Sequence, residues 1–272
     1  MSWILTIPDG FSLQRIIKYS AEFLLPPFTV NPSMSVIERV EELDSKRILL
    51  LTISQVPAGL QIRTSQHLDS AESEEVSHKV WRMLRLGENL NLLRPNQKHL
   101  QRHHLPGGRL LRGATFFEDV IKALLLTHQG EFAPRNQLNA IQIIARLVDR
   151  LGGSLPSNPT RHAFPTCEKL QHSPTLLTEL LGPSLERTLR ELGKLCDTEL
   201  AKIEQLQVAQ CPLPILIHEI NQLPGMRPAM LALLMLALGR YDYSPRNDYA
   251  RHYLSPELPS DKTSVSAPDF SD

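Results

Sequence analysis

The apolar residues of this chain change their period once, near Pro95, and that change constrains the fold more than any single motif. Before it the pattern is that of strands. Residues 35–42 alternate Val36, Glu38 and Val40 against Ile37, Arg39 and Glu41, as a strand with two unlike faces does. Residues 47–54 read as a buried strand. Residues 60–64 read as another, after the turn residues Pro57, Ala58 and Gly59. Spacers this short predict an antiparallel meander. Residues 1–10 read as an edge strand closed by Pro8-Asp9-Gly10, and Asp9 or Ser12 is placed to cap a helix running to about Phe23, stopped by Pro26 and Pro27. The acidic run 69–75 leads into a helix with Val76, Val80, Met83 and Leu84 on one face.

Beyond Pro95 nearly everything reads as helix interrupted by Pro and Gly. Thr115 is the expected N-cap of a helix over 117–127, with Glu118 completing a capping box. Further helices are expected over 137–151, Cys167–Gln171, Pro174–Leu181, 183–196, 197–208, 214–222 and 228–238. The expected class is therefore α+β: a small N-terminal antiparallel sheet unit with flanking helices over 1–95, then a mostly helical core over 96–254. The Pro/Ser/Asp-rich residues 255–272 read as a disordered tail.

Composition narrows function only by exclusion. The 272 residues are 42% apolar and 21% charged, the balance of a soluble globular protein. The net charge is +0, so any basic surface that meets nucleic acid must be local. Cys167, Cys196 and Cys211 form no CxxC pair, which indicates neither a zinc site nor an iron–sulfur cluster and suits a reducing compartment. No apolar run approaches the roughly 20 residues that span a bilayer, and the N-terminus lacks a basic n-region. The chain is expected to be intracellular (cytoplasmic or at the nucleoid, if bacterial), with no membrane partner and no metal.

The chemistry concentrates in residues 222–254. Two helices flank a tight Leu223-Pro224-Gly225 hairpin, and Asp248 stands before the helical pattern Tyr249–Leu254. Taken alone, Leu-Pro-Gly is an ordinary turn and Asp248 a helix cap. Helix 228–238 rises about 16 Å at roughly 1.5 Å per residue. Residues 239–247 can span about 30 Å if extended, so Asp248 can return beside the hairpin. A carboxylate held ionised at a helix N-terminus suits electrostatic stabilisation of a cationic sugar better than general-base work.

Hairpin and aspartate together resemble the helix–hairpin–helix DNA glycosylases, whose hairpin reads LPGxG and whose catalytic aspartate closes a GxxDxFPxxD-like segment. Here that segment runs Gly239, Asp242, Ser244-Pro245, Asp248. The resemblance continues upstream through Gly108-Arg109-Leu110-Leu111-Arg112, Thr115 and Glu118, residues 124–129, and Phe164-Pro165-Thr166. The N-terminal strands are similar to those of the bacterial alkylation-repair and 8-oxoguanine enzymes. The resemblance implies that Asp248 is catalytic, and that Leu223, Pro224, Gly225 and Arg227 grip DNA phosphate directly or through a bound monovalent cation. It places His128 or Gln129 where the family inserts side chains into the duplex, although a helix C-terminus accounts for them equally. Tyr241, Tyr243 and Tyr249 can stack on a base or simply pack. The implied partner is duplex DNA carrying a damaged base, bound by a monomer without redox or nucleotide cofactor. Two departures matter. Arg227 replaces the second hairpin glycine, and Ala229 stands where bifunctional members carry a Schiff-base lysine. The second implies a monofunctional enzyme nearer the alkylpurine branch. A catalytically silent DNA-binding relative and a helical protein-interaction module remain the alternatives.

Overall fold

A computed structural model describes residues 1–19, 24–31, 33, 35–88, 111–128, 134–240 and 243. Asp248, Gln129, Tyr241, Tyr249, the C-terminal tail and the 89–110 stretch lie outside the described residues.

The N-terminal part is a five-stranded antiparallel sheet in the order β1-β5-β4-β3-β2. Its strands are β1 (Ser2–Leu5), β2 (Phe28–Asn31), β3 (Val36–Glu42), β4 (Ile48–Val56) and β5 (Gly59–Thr64). The expected meander is β3-β4-β5, in a register that pairs Val36 with Ser54 and Glu42 with Ile48, and β1 is the edge strand against β5. Strand β2 is an addition to the expected set. Ile37, Leu49, Leu51, Ile53, Leu60 and Ile62 form one core with helices α1 (Leu13–Tyr19) and α2 (Ser70–Met83). Ser12 Oγ accepts from Arg15 N at 3.3 Å, so Ser12 rather than Asp9 caps α1. The acidic run does not merely precede α2. Asp69 and Glu72 form its capping box, putting negative charge at the helix's positive end.

The rest of the described chain is mainly helical: α3 (Phe116–Thr127), α4 (Pro134–Leu151), α5 (Cys167–Gln171), α6 (Pro174–Leu181), α7 (Pro183–Lys194), a π-helical turn (Cys196–Leu200), α8 (Ala201–Val208), α9 (Leu213–Asn221) and α10 (Pro228–Ala237). The expected α+β class holds. A short hairpin, β6 (Ser154–Leu155) with β7 (Asn158–His162), interrupts the helices. Leu155 and Ala163 bury Val40 against it, with Ile48 and Leu50 alongside. Cys167 and Cys196, which their spacing left unpaired, form a disulfide where α5 and the π-helical turn meet. Among the described residues no helix is long and apolar enough to cross a membrane.

Helix α3 is the centre. Of its 12 residues only Leu126 is not buried, so its three charged side chains must find partners inside the protein. Thr115 caps Glu118 N at 3.2 Å, but the reciprocal half of the expected capping box is absent. The Glu118 carboxylate accepts from Ala114 N at 3.0 Å and otherwise faces Arg39 and Lys122. Arg39 donates to both its oxygens at 2.9 and 2.8 Å. Lys122 donates at 2.6 Å. This buried network joins the sheet to the helical core.

Candidate functional site

The hairpin joins α9 to α10. Gly225 has φ +74°, a left-handed conformation that suits glycine, and a Cβ there would lie 2.7 Å from Thr188 Cγ2 and 3.2 Å from Leu124 Cδ1. The turn therefore sits directly on α7 and α3. Met226 N donates to Leu223 O at 3.3 Å, and Leu223 is buried beneath. Arg227 is the N-cap residue of α10, at φ −139° and ψ 157°. That is extended backbone open to any residue, so the missing second glycine does not distort the turn. No side chain caps α10, and its first residue is Pro228, leaving the N–H groups of its first turn facing outward.

Arg227 does not simply project to solvent. Its Nη1 donates to His128 O at 2.9 Å, at the C-terminal end of α3, where a cation is favourable. The hairpin and the His128 turn are thereby tied together. Burial, and then the Arg227 charge, lower the His128 pKa. Tyr243 packs against the helical core, and its burial raises its phenol pKa. For Tyr243 the structure records packing.

At the C-terminal end of α10, the end away from the hairpin, a small open cleft of about 50 Å3 lies against α3. Leu25, Leu111, Leu126, Leu233 and Leu236 line it, with Arg85, Arg112, Asp119 and Lys122 as its polar groups. Asp119 accepts from Gly113 N at 2.6 Å and is ion-paired with Arg82 at 2.9 Å. Lys122 is held by Glu118. Arg85 meets Glu88 at 2.6 Å and donates to Leu236 O. Arg112 donates to Arg82 O at 2.8 Å and to Ala237 O at 2.9 Å. Two arginines thus supply charge to the last carbonyls of α10. Gly239 follows with φ +73°, turning the chain out of α10 towards the segment that carries Asp248.

Of the residues singled out from sequence, Leu223, Pro224, Gly225, Arg227 and His128 are therefore brought together, and Tyr243 lies partly buried against the helical core. Asp119, Lys122 and Arg112 were not singled out as site residues. Their signal was legible: charges inside the otherwise apolar run 116–127 must be buried and paired. Among the described residues, no group of three or more His, Cys, Asp or Glu is placed to hold a metal.

No family model matches the chain, and no curated protein matches it. Solved structures do. The 3-methyladenine DNA glycosylase from Archaeoglobus fulgidus superposes with a TM-score of 0.65 at 20% identity, over 87% of this chain and 80% of its own. The 8-oxoguanine glycosylase/lyase of Clostridium acetobutylicum, in its apo form, gives 0.57 at 14% identity, over 95% of this chain and 87% of its own. MBOgg1, solved with a low-affinity DNA ligand, gives 0.61 at 12% identity, over 94% and 84%.

Proposed function

We propose that this chain, whose fold is that of the helix–hairpin–helix DNA glycosylases, is itself a monofunctional DNA glycosylase acting on damaged bases in duplex DNA. The observation that carries the reading is the placement of the hairpin. Gly225, in a left-handed turn, and the uncapped start of α10 lie together beside the His128 turn, to which Arg227 ties them. The hairpin grips the backbone, directly or through a monovalent cation. His128, on the adjoining turn, faces the duplex from which the damaged base is extruded. The C1′–N bond breaks with its electron pair leaving on the base. Water adds at C1′, and its proton passes to the departing base. Asp248 stabilises the cationic sugar as that bond opens.

Ala229 supports hydrolysis without a covalent intermediate, because the position offers no amine. The same substitution, with the sequence resemblance, favours the alkylpurine branch and hence damaged purines. The protein acts as a monomer, in the compartment that holds DNA.

Binding tests this first. A duplex with an abasic-site analogue should bind more tightly than undamaged duplex, with affinity falling as salt rises. Equal, salt-independent affinity for both would leave the helical interaction module in its place. Borohydride should trap no protein–DNA adduct. A robust adduct would point to Lys122, the lysine that lines the cleft, and end the monofunctional reading. Binding without excision of any lesion would make the chain a silent relative, an outcome favoured by the low aromatic content of 6%.

A further inference from the structure

We infer that Arg227 is a positioning residue: it braces the His128 turn against the hairpin, so that the phosphate grip and the side chain presented to a gap in the base stack act as one unit. The inference rests on the glycosylase reading and adds a damage-recognising part to it.

Arg227 breaks the local rules of its own helix. It occupies the N-cap of α10, yet no side chain caps that helix. An arginine has no acceptor to offer the first N–H groups, and its charge lies at the positive end of the helix dipole. The compensation is on another helix. Arg227 Nη1 donates to His128 O at 2.9 Å, and α3 has no basic residue in its own last turn. The guanidinium thus brings to the negative end of α3 the cation that its last turn lacks. A charge misplaced on one helix and well placed on another joins the two.

The junction has a second contact, one turn back along α3. Gly225 lies against Leu124 and Thr188, where a Cβ would stand 3.2 and 2.7 Å from their side-chain carbons. Leu124 and His128, at i and i+4, share a face of α3. Hairpin residues 225 and 227 therefore meet α3 at successive turns, which fixes the direction of its end as well as its distance. His128 continues the helical backbone, at φ −61° and ψ −37°, so its orientation follows that of α3. Burial, then the Arg227 charge, lower its pKa and keep the imidazole neutral at neutral pH. A neutral ring enters a gap between bases without the cost of desolvating a charge. A turn already braced also loses less conformational entropy on entering. That gap exists only where a base is extruded or missing. The brace should therefore show in the preference for abasic over undamaged duplex.

The test is equilibrium binding of the full chain to two duplexes, one undamaged and one with a single abasic-site analogue. The preference is the ratio of the two Kd values. Arg227→Ala should lower it about two- to fivefold, the size of one charge at a helix C-terminus. His128→Ala should lower it too. In the double variant the Arg227 change should add nothing, because the brace then holds no ring. A phosphate contact would instead weaken both duplexes alike and leave the ratio where it was. An unchanged ratio in either single variant, or full additivity in the double one, would overturn the inference and leave the glycosylase reading standing. A parent protein with no preference for the abasic analogue would overturn that reading, and this inference with it. The backbone at residue 227 is extended and open to any side chain, so thermal unfolding should show the Arg227 variant folded.

Discussion

Two groups of buried charge share α3, and they are built differently. At the junction with the sheet, every cation faces carboxylate. Arg39 spans Glu118 and Glu41, Lys122 returns to Glu118, and Lys79 meets Glu41 at 3.0 Å. Arg39 and Lys122 also lie 4.8 and 5.2 Å from the Phe28 ring centroid. At the cleft, Arg82, Arg85 and Arg112 gather around the end of α10, and Arg112 is bonded to main chain alone. The first arrangement is closed and holds two parts of the molecule together. The second spreads its arginines over fewer carboxylates and turns them to the last carbonyls of α10 and to main chain after α2.

Removing Glu118 should break the closed group with the largest effect. Glu118→Gln leaves Lys122 without its carboxylate and Arg39 with Glu41 alone, and breaking a buried pair in this way costs about 3–5 kcal/mol. Arg112→Gln should cost far less in unfolding, on the order of 1 kcal/mol for hydrogen bonds to main chain. Urea unfolding of both variants checks the contrast, and equal losses would erase it. The pH dependence has a definite sign. Burial alone would raise the Glu118 pKa, but Arg39 and Lys122 outweigh it and hold the carboxyl far below its ordinary 4.5. Its contribution is therefore complete above about pH 4.5 and is lost as pH falls below that. Glu118→Gln should flatten that acid limb.

The hairpin sharpens the comparison from the other side. Gly225→Ala places a Cβ in a left-handed turn and against Thr188. A loss of about 1–3 kcal/mol is expected, with weaker abasic-analogue binding. Unchanged binding would separate the turn from the DNA grip. Arg227→Ala should be milder, about 0.3–1 kcal/mol for a charge at a helix C-terminus. The His128 pKa, read by NMR titration, should rise when the Arg227 charge goes. If it stays where it was, the tie between hairpin and His128 has no electrostatic content.

Much of this was legible in the sequence where one residue's neighbours decide its structure. The alternation in 35–42 placed β3, and Leu-Pro-Gly marked the turn between α9 and α10. What escaped was set by distant partners. Strand β2 is four residues ending just before Pro32, too short to show a period, and pairing with β3 makes it a strand. The β6–β7 hairpin lies in a Gly/Pro-rich stretch that reads as loop until it packs on Val40. Arg227 finds His128 across 99 residues, and the Cys167–Cys196 pair spans 29. The cleft takes its charges from the turn after α2, from the segment before α3 and from α3 itself, so no local motif announces it.

The measurement closest to the central claim is single-turnover base release by Asp248→Asn beside the parent protein, on whichever lesion the parent excises. Asparagine keeps a capping oxygen and nearly the same volume, so thermal unfolding should be unchanged. The stabilising charge is lost, and a preorganised group of this kind contributes about 3–4 kcal/mol, so release should slow roughly 100- to 1000-fold. Binding of the abasic analogue should persist, since removing an anion cannot weaken attraction to phosphate. A folded variant that binds the analogue and has all but stopped releasing base is the predicted result. Excision at the parent rate would contradict it and leave Asp248 a helix cap.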